Sequence, residues 1–352
     1  MNIPIKELLK PTTGAWTLKD LKKIQKNNFN VFSCFHCGGG SSMGYKLAGF
    51  NVLGGVEIDP KIMDIYKTNH YPKYSYLMPV KDFNKIPNTK LPSSLTDNLD
   101  ILDGSPPCSV FSMAGSREKK WGSEHAFREG QAIQRLDDLF FDFINTANKL
   151  QPKVVLAENV KGLIIGNAKG YVKEIFASFY DAGYECQLFL LNSAKMGVPQ
   201  RRERTFFIAR RRNLNLPPLK LSFNEPSVSV RQAFRGTSPL GAKQLSPKAY
   251  KLWSNTRPGN SFSKAAKGSW FTWNRLSFNS PAPTLVSGSP PSHPLQPRHL
   301  SPSEIIRIQS FPDDYNFKNL DPVYVCGMSV PPFMIQRIAL QIIEQWFLSA
   351  NL

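Results

Sequence analysis

The sequence predicts an α/β fold: a doubly wound, largely parallel sheet with a smaller basic module attached. Three observations lead there. From Phe29 to about Ala209, strand-sized apolar runs alternate with segments of helical periodicity. Past Arg210-Arg211-Arg212 the chain turns rich in Pro, Ser, Asn, Lys and Arg and loses clear periodicity. Regular patterning resumes at Ser301. The 352 residues thus divide into an α/β domain over 1–209, a basic module over 210–300 and C-terminal helices over 301–352, the last returning to the first domain.

Strands are expected at Asn30–Phe35, Val52–Ile58, Ile101–Leu102, Val154–Ala157, Tyr184–Leu191 and Arg204–Ala209. Between them, Arg135–Leu150 sets Leu136, Leu139, Phe140, Phe143, Ile144 and Ala147 on one helical stripe. Ser301-Pro302-Ser303-Glu304 has an N-cap Ser, a Pro at the first helical position and a Glu in capping-box spacing. A last helix from about Pro332 stripes Ile335, Ile338, Ala339, Ile342, Ile343 and Trp346.

Apolar residues at 41% and charged residues at 20% suit a globular chain with a sizeable core. No uninterrupted apolar run reaches the ~18 residues of a membrane span, and the opening residues lack a secretory pattern. Five cysteines, odd in number and widely spread, do not make a disulfide framework. The expectation is a cytoplasmic protein with no membrane partner. Its net charge is +18, and the excess is local: Arg210–Ser280 holds 13 Lys or Arg against one acid, Glu225. That is the footprint of a polyanion partner, with a solvated basic surface as the alternative.

Four segments carry candidate chemistry. Phe35-His36-Cys37-Gly38-Gly39-Gly40-Ser41-Ser42-Met43-Gly44 follows the first strand and opens a helix. Glycines there let the backbone approach a nucleoside, although a structural turn explains the run equally well. The second strand ends in Glu57 and Asp59, where an acid can accept hydrogen bonds from a ribose. Lys81-Asp82-Phe83 places a third acid near the expected end of strand three, suited to an adenine amino group.

Asp103-Gly104-Ser105-Pro106-Pro107-Cys108-Ser109 follows the short strand Ile101–Leu102, and its two prolines stiffen the turn that presents Cys108. A lone Cys is more often a buried structural thiol. Here Arg117, Lys119, Lys120 and Arg128 in the loop beyond would depress a thiol pKa, which favours a nucleophile. Glu158 follows the apolar run Val154–Ala157, where desolvation would raise its pKa and suit it to donate a proton; a helix N-cap acid fits equally well. In Gln200-Arg201-Arg202-Glu203-Arg204, alternation would put Arg202 and Arg204 on one face, suited to an anion or a carbonyl oxygen.

In combination and order these segments resemble the cytosine-5 DNA methyltransferase family over nearly the whole chain. The matching pieces are Phe35 to Gly44, Glu57, Pro106-Pro107-Cys108, Glu158-Asn159-Val160, Gln200–Arg204, the run from Arg298 to Tyr315, and Gly327-Met328-Ser329-Val330-Pro331-Pro332. The resemblance implies a Rossmann-like, S-adenosylmethionine-dependent domain with a smaller target-recognition domain over 210–300. It implies Cys108 as nucleophile, with Glu158, Arg202 and Arg204 at the flipped cytosine. The implied cofactor contacts are Phe35 against the adenine, Glu57 at the ribose and Asp82 near the adenine amino group. Gly39, Gly40, Ile58, Phe83, Pro107, Leu139, Ser329 and Val330 complete them. Double-stranded DNA, a cognate restriction endonuclease and a monomeric state follow from the same resemblance.

Three positions depart from that pattern. Cys37 stands for the first glycine of the cofactor loop, Ser33 for an acid near the end of the first strand, and Met328 for an Asn. All three are expected in the cofactor pocket and to alter cofactor affinity. Cys34 and Cys37 have no second Cys/His pair nearby, so no metal is expected. Two other readings compete: a tRNA cytosine-5 methyltransferase of the same fold, and a catalytically inactive DNA-binding relative. The long basic insert favours DNA over the first, and retention of Cys108, Glu158 and Arg204 argues against the second.

Overall fold

The computed structural model describes residues 15–107, 124–126, 133–135, 138–165, 169–266, 270 and 272–349. They form two compact units. The sheet unit comprises Gln25–Leu191, Glu203–Leu221 and Ile338–Leu352; the second unit takes Asn192–Arg202, Ser222–Arg337 and the described part of Met1–Ile24. These units are divided differently from the expected domains. The chain leaves the sheet unit after Leu221 rather than at 209, because its last strand runs to Arg211 and the stretch beyond is fastened to the C-terminal helix. There Trp346 donates to the Pro217 carbonyl at 2.8 Å, and Gln345 to the Lys220 carbonyl at 2.8 Å. Of the C-terminal helices, Pro302–Ile308 and Pro322–Met328 belong to the second unit, and the chain returns to the sheet unit at Ile338.

The strands in chain order are β1 (Asn30–Cys34), β2 (Asn51–Glu57), β3 (Tyr74–Leu77), β4 (Ile101–Gly104), β5 (Glu124–Ala126) and β6 (Ile133–Arg135). Then come β7 (Val154–Val160), β8 (Tyr184–Asn192), β9 (Gln200–Arg201), β10 (Glu203–Arg211) and β11 (Ala282–Pro283). Seven of them make one sheet in the order β3-β2-β1-β4-β7-β10-β8. From β3 to β7 every neighbour is parallel, and β10 runs antiparallel to β7. The doubly wound α/β expectation holds. Because β2 and β4 flank β1 on opposite sides, the strand order reverses at β1, where open α/β sheets leave a crevice for ligands.

The sequence periodicities explain the packing. The helix Leu139–Leu150 buries Leu139, Phe140, Phe143, Ile144, Ala147 and Leu150, which is the expected stripe from Leu139 onward with Leu150 added; Leu136 lies outside the described residues. Phe140 meets Phe207 of β10 edge-on, with ring centroids 5.2 Å apart. Phe143 lies so close beneath β4 that a Cβ on Gly104 would fall 2.4 Å from its ring. At the C-terminus, Phe347 packs against Phe29 at 4.5 Å. Pro322–Phe347 is long and apolar enough to cross a membrane by length and composition alone, and 83% of its most apolar window is buried in the protein.

In the second unit, Ser301 and Glu304 form the predicted capping box, with the Glu304 carboxylate also held by Arg298 at 2.8 and 2.9 Å. A small core of Ala249, Trp253 and Phe262 is covered by the half-buried Trp270 and Trp273. These tryptophans are framework. Arg275 stacks on Trp253 at 3.8 Å and donates to the carbonyls of Trp253, Thr256 and Pro294, so it braces this core.

Strand β2 bulges where it pairs with β1: Val31 faces Val52 but Phe32 faces Gly54, which leaves Leu53 as the extra residue. Gly54 has φ +138°, and a Cβ there would sit 1.8 Å from the Tyr74 carbonyl oxygen of β3. Gly54→Ala should therefore destabilise the fold by about 2–5 kcal/mol, through strain and a clash with backbone that cannot yield. Urea unfolding should show a lower midpoint at unchanged slope.

Candidate active site

The parallel register lines up the strand ends. Cys34 pairs with both Val56 and Gly104, and Gly104 pairs with Ala157. The next residue on each strand is Phe35, Glu57, Ser105 or Glu158. Three of the four segments singled out in the sequence, the first of them through both Phe35 and Glu57, therefore meet on one rim, at the carboxyl edge of the sheet.

Beyond β1 the chain turns sharply. Phe35, Cys37 and Gly39 all have positive φ, at 53°, 47° and 71°. Gly39 and Gly40 are buried, and a Cβ on Gly39 would fall 2.1 Å from His70 Nε2. Under the loop lies a stack of three buried rings: His36 on Tyr66 at 3.7 Å, and Tyr66 on His70 at 4.4 Å. Burial pushes the His36 pKa down to about 4, so the ring is neutral and packs as an aromatic plate. Sequence reasoning missed this stack, because His36 and His70 are distant in the chain and nothing local joins them.

Glu57 grips the same loop. One carboxylate oxygen accepts from the Cys37 N–H at 3.2 Å, and the other from the N–H groups of Ile58 and Asp59 at 2.9 and 3.2 Å. Burial raises its pKa to about 7 against the lowering effect of these donors. A carboxylate offers roughly four acceptor positions, so one remains for a hydroxyl. Ile58 is half-buried just past β2. Asp82 is exposed and ion-paired with Lys85 at 2.7 Å, on the short helix Val80–Lys85 that follows β3.

The Phe83 ring is fully buried against Phe32 and Tyr76, and its N–H donates to the Pro79 carbonyl. Leu139 is likewise buried, at the start of its helix.

At the nucleophile segment, Pro106 is buried and Pro107 half-buried; Cys108 lies outside the described residues. Asn159 of β7, quoted in the sequence but given no role, donates to the Pro106 carbonyl at 3.3 Å and so holds the turn two residues before Cys108.

Glu158 is 8% exposed and pairs with Arg204 Nε at 3.0 Å. In the antiparallel β7–β10 ladder Arg204 faces Val160 and Phe206 faces Glu158, so Arg204 and Glu158 are diagonal neighbours on one face. The alternation argument fails for Arg202. It precedes β10 and belongs to the second unit, where its guanidinium donates to the carbonyls of Leu285 at 3.0 Å and Gly327 at 2.9 Å. Arg202 fastens that unit's own backbone.

Ser329 and Val330 are also buried in the second unit, where the Ser329 hydroxyl donates to the Val325 carbonyl at 2.7 Å. Met328 is 47% exposed. The last departure resolves within the sheet: Ser33 donates to Asp103, its register partner on β4, at 3.1 Å. The acid that Ser33 lacks stands directly across the ladder.

The family model for the C-5 cytosine-specific DNA methylase matches residues 29–344. The chain belongs to this family. It is an enzyme that methylates cytosine in DNA at carbon 5. Among relatives, it is 28% identical to the Type II methyltransferase M.FnuDI of Fusobacterium nucleatum, over 89% of this chain and 94% of that one. It is 27% identical to M.NgoPII of Neisseria gonorrhoeae, over 89% and 95%. Among solved structures, one described as a DNA modification methyltransferase encoded within an Escherichia coli prophage superposes with a TM-score of 0.72 at 21% identity, covering 90% of this chain and 99% of that one. Spodoptera frugiperda DNMT2 superposes at 0.61 with 17% identity, over 89% and 99%; at these identities the likeness is one of fold.

Two outcomes follow from this geometry. Arg204→Met leaves a buried carboxylate unpaired and should cost about 3–5 kcal/mol of stability, most of it recovered when Glu158→Leu is added. A denaturant double-mutant cycle measures both. Cys37→Gly should be tolerated, leaving stability unchanged or raising it by up to ~1 kcal/mol, because release of left-handed strain outweighs the greater freedom of glycine in the unfolded chain. A lower melting temperature for this variant would contradict the observed loop conformation.

Proposed function

We propose that the enzyme transfers the methyl group of S-adenosylmethionine to carbon 5 of a cytosine flipped out of duplex DNA at a specific sequence. One observation carries the reading: register places the glycine loop, Glu57, the turn leading to Cys108 and the Glu158–Arg204 pair on a single rim. The residues present fit the cofactor. Glu57 retains an acceptor position for a ribose hydroxyl, Phe35 and Ile58 are half-buried beside it, and the loop's backbone is held from below by Glu57 and the His36–Tyr66–His70 stack. When bound, S-adenosylmethionine supplies an electrophilic methyl group on a sulfonium.

The chain's own residues do the rest. Carbon 5 of cytosine is a weak nucleophile until carbon 6 is attacked. The Cys108 thiolate forms a bond to carbon 6, while Glu158, oriented by Arg204, holds a proton at ring nitrogen 3 so that an enamine forms rather than an anion. A methyl group gained at carbon 5 would leave S-adenosylhomocysteine behind; the carbon 5 proton then passes to water, and the Cys108–carbon 6 bond breaks to release the thiolate and restore the aromatic ring. Flipping the base out of the stack costs a few kcal/mol. Exposed cations of the second unit, among them Arg231, Arg235, Lys243, Lys248, Lys251, Arg257 and Lys264, supply phosphate contacts for target recognition. The Type II names of the relatives support a partner endonuclease.

A duplex carrying 5-fluorocytosine at the target tests the mechanism. Fluorine cannot leave as a cation, so the reaction should halt with Cys108 joined to carbon 6. The adduct should require S-adenosylmethionine, survive denaturation and map to Cys108, and Cys108→Ser should abolish it. A Ser variant that methylates normally, or label on Cys34 or Cys186, would sink the proposal.

A further inference from the structure

Five acids are buried among the described residues: Glu57, Asp100, Asp103, Glu158 and Glu304. Three carry a cation. Asp100 pairs with Lys153 at 2.9 Å, Glu158 with Arg204 at 3.0 Å and Glu304 with Arg298 at 2.8 Å. The two without one, Glu57 and Asp103, both stand at the glycine loop. Glu57 is held by three backbone N–H groups, one from the loop and two from the residues that follow it in the chain. Asp103 differs, being 2% exposed and met only by hydroxyls: Ser33 at 3.1 Å, Ser41 at 2.8 Å and Tyr45 at 3.3 Å. Ser33 lies on β1 just before the loop, and Ser41 on the helix Gly40–Leu47 just after it. Asp103 thus sits at the β1–β4 switch point, one layer beneath the loop.

Hydroxyl dipoles solvate a carboxylate without neutralising it. A buried charge left in this way is costly, and natural interiors ordinarily pair it. The other three buried acids follow that rule, so the exception calls for a charge of opposite sign from outside the chain. Burial raises the Asp103 pKa to about 7, as expected for an acid lacking a cation. The sequence agrees. In a chain of net charge +18, cations are abundant, yet among the described residues none is within ion-pairing distance of this carboxylate.

We propose that Asp103 is the positioning residue whose charge selects the cationic methionine end of the cofactor, its ammonium and sulfonium, while the adenosine end is held independently. The inference rests on the reading of the glycine loop as the S-adenosylmethionine site. It makes Asp103, on β4, the electrostatic member of a pocket whose other parts come from β1 and β2.

The test is equilibrium binding of three probes to the full chain, with no turnover required. S-adenosylmethionine carries both positive centres, S-adenosylhomocysteine keeps the ammonium alone, and 5′-methylthioadenosine has neither. Asp103→Asn keeps the shape and lets the three hydroxyls rebond. It should weaken S-adenosylmethionine about tenfold or more, S-adenosylhomocysteine less, and methylthioadenosine by under about twofold. Equal losses for all three probes, or none, would overturn the proposal, since a merely structural strut has no preference for charge. The exchange Ser33→Asp with Asp103→Ser moves the carboxylate to its register partner and should restore the graded response. A folded exchange variant with a flat response also overturns it, and this variant decides alone should Asp103→Asn fail to fold. Failure of the unaltered protein to bind any probe would instead reject the assignment of the loop.

Discussion

The site depends on one constraint, the parallel pairing of β1 with β2 on one side and β4 on the other. Parallel hydrogen bonding fixes how far each strand advances relative to its neighbour, so the residue following each strand end reaches the same rim. A one-residue slip of β4 would turn Asp103 away from Ser33 and send Gly104 off the Phe143 ring. The bulge at Leu53 belongs to the same constraint. It uses up one residue of β2 so that Glu57, rather than its neighbour, ends the strand under the loop.

Burial then does different work on the two sides of the switch point. On the β7 side, Glu158 is neutralised by Arg204, and β10 contributes that arginine only because it runs antiparallel and presents it diagonally. On the β1 side, the carboxylates are surrounded by backbone N–H groups and hydroxyls. A cation-paired acid and an acid solvated by hydroxyls thus stand within a few residues of each other at a single sheet edge.

Much of this was legible in the sequence. Strand positions, the stripe on Leu139–Leu150 and the Ser301–Glu304 cap follow from periodicity and local bonding, which a linear string records directly. Family resemblance marked Glu57, Glu158 and Arg204. What the string hid were facts about partners. Phe83 sits in a motif but its ring belongs to the core, and Arg202 obeys strand alternation on paper yet lies before the strand and bonds backbone carbonyls. Asp103 was in plain view without a role, since nothing local reveals that it lies opposite Ser33, 70 positions earlier in the chain. Ser33 read as a loss for the same reason.

The chain passes between its two units five times, after residues 24, 191, 202, 221 and 337. This bears on how the protein is made. A ribosome releases β1 to β4 early, but the aromatic that packs against Phe29 at the head of β1 is Phe347, and the partner of the Pro217 carbonyl is Trp346. The sheet unit therefore emerges with its flank uncovered and must wait through the synthesis of most of the second unit before it can close. During that interval apolar surface stands open to other chains, the circumstance in which nascent proteins aggregate or engage chaperones. A truncation removing only the last dozen or so residues would leave the sheet unit in that unfinished state permanently.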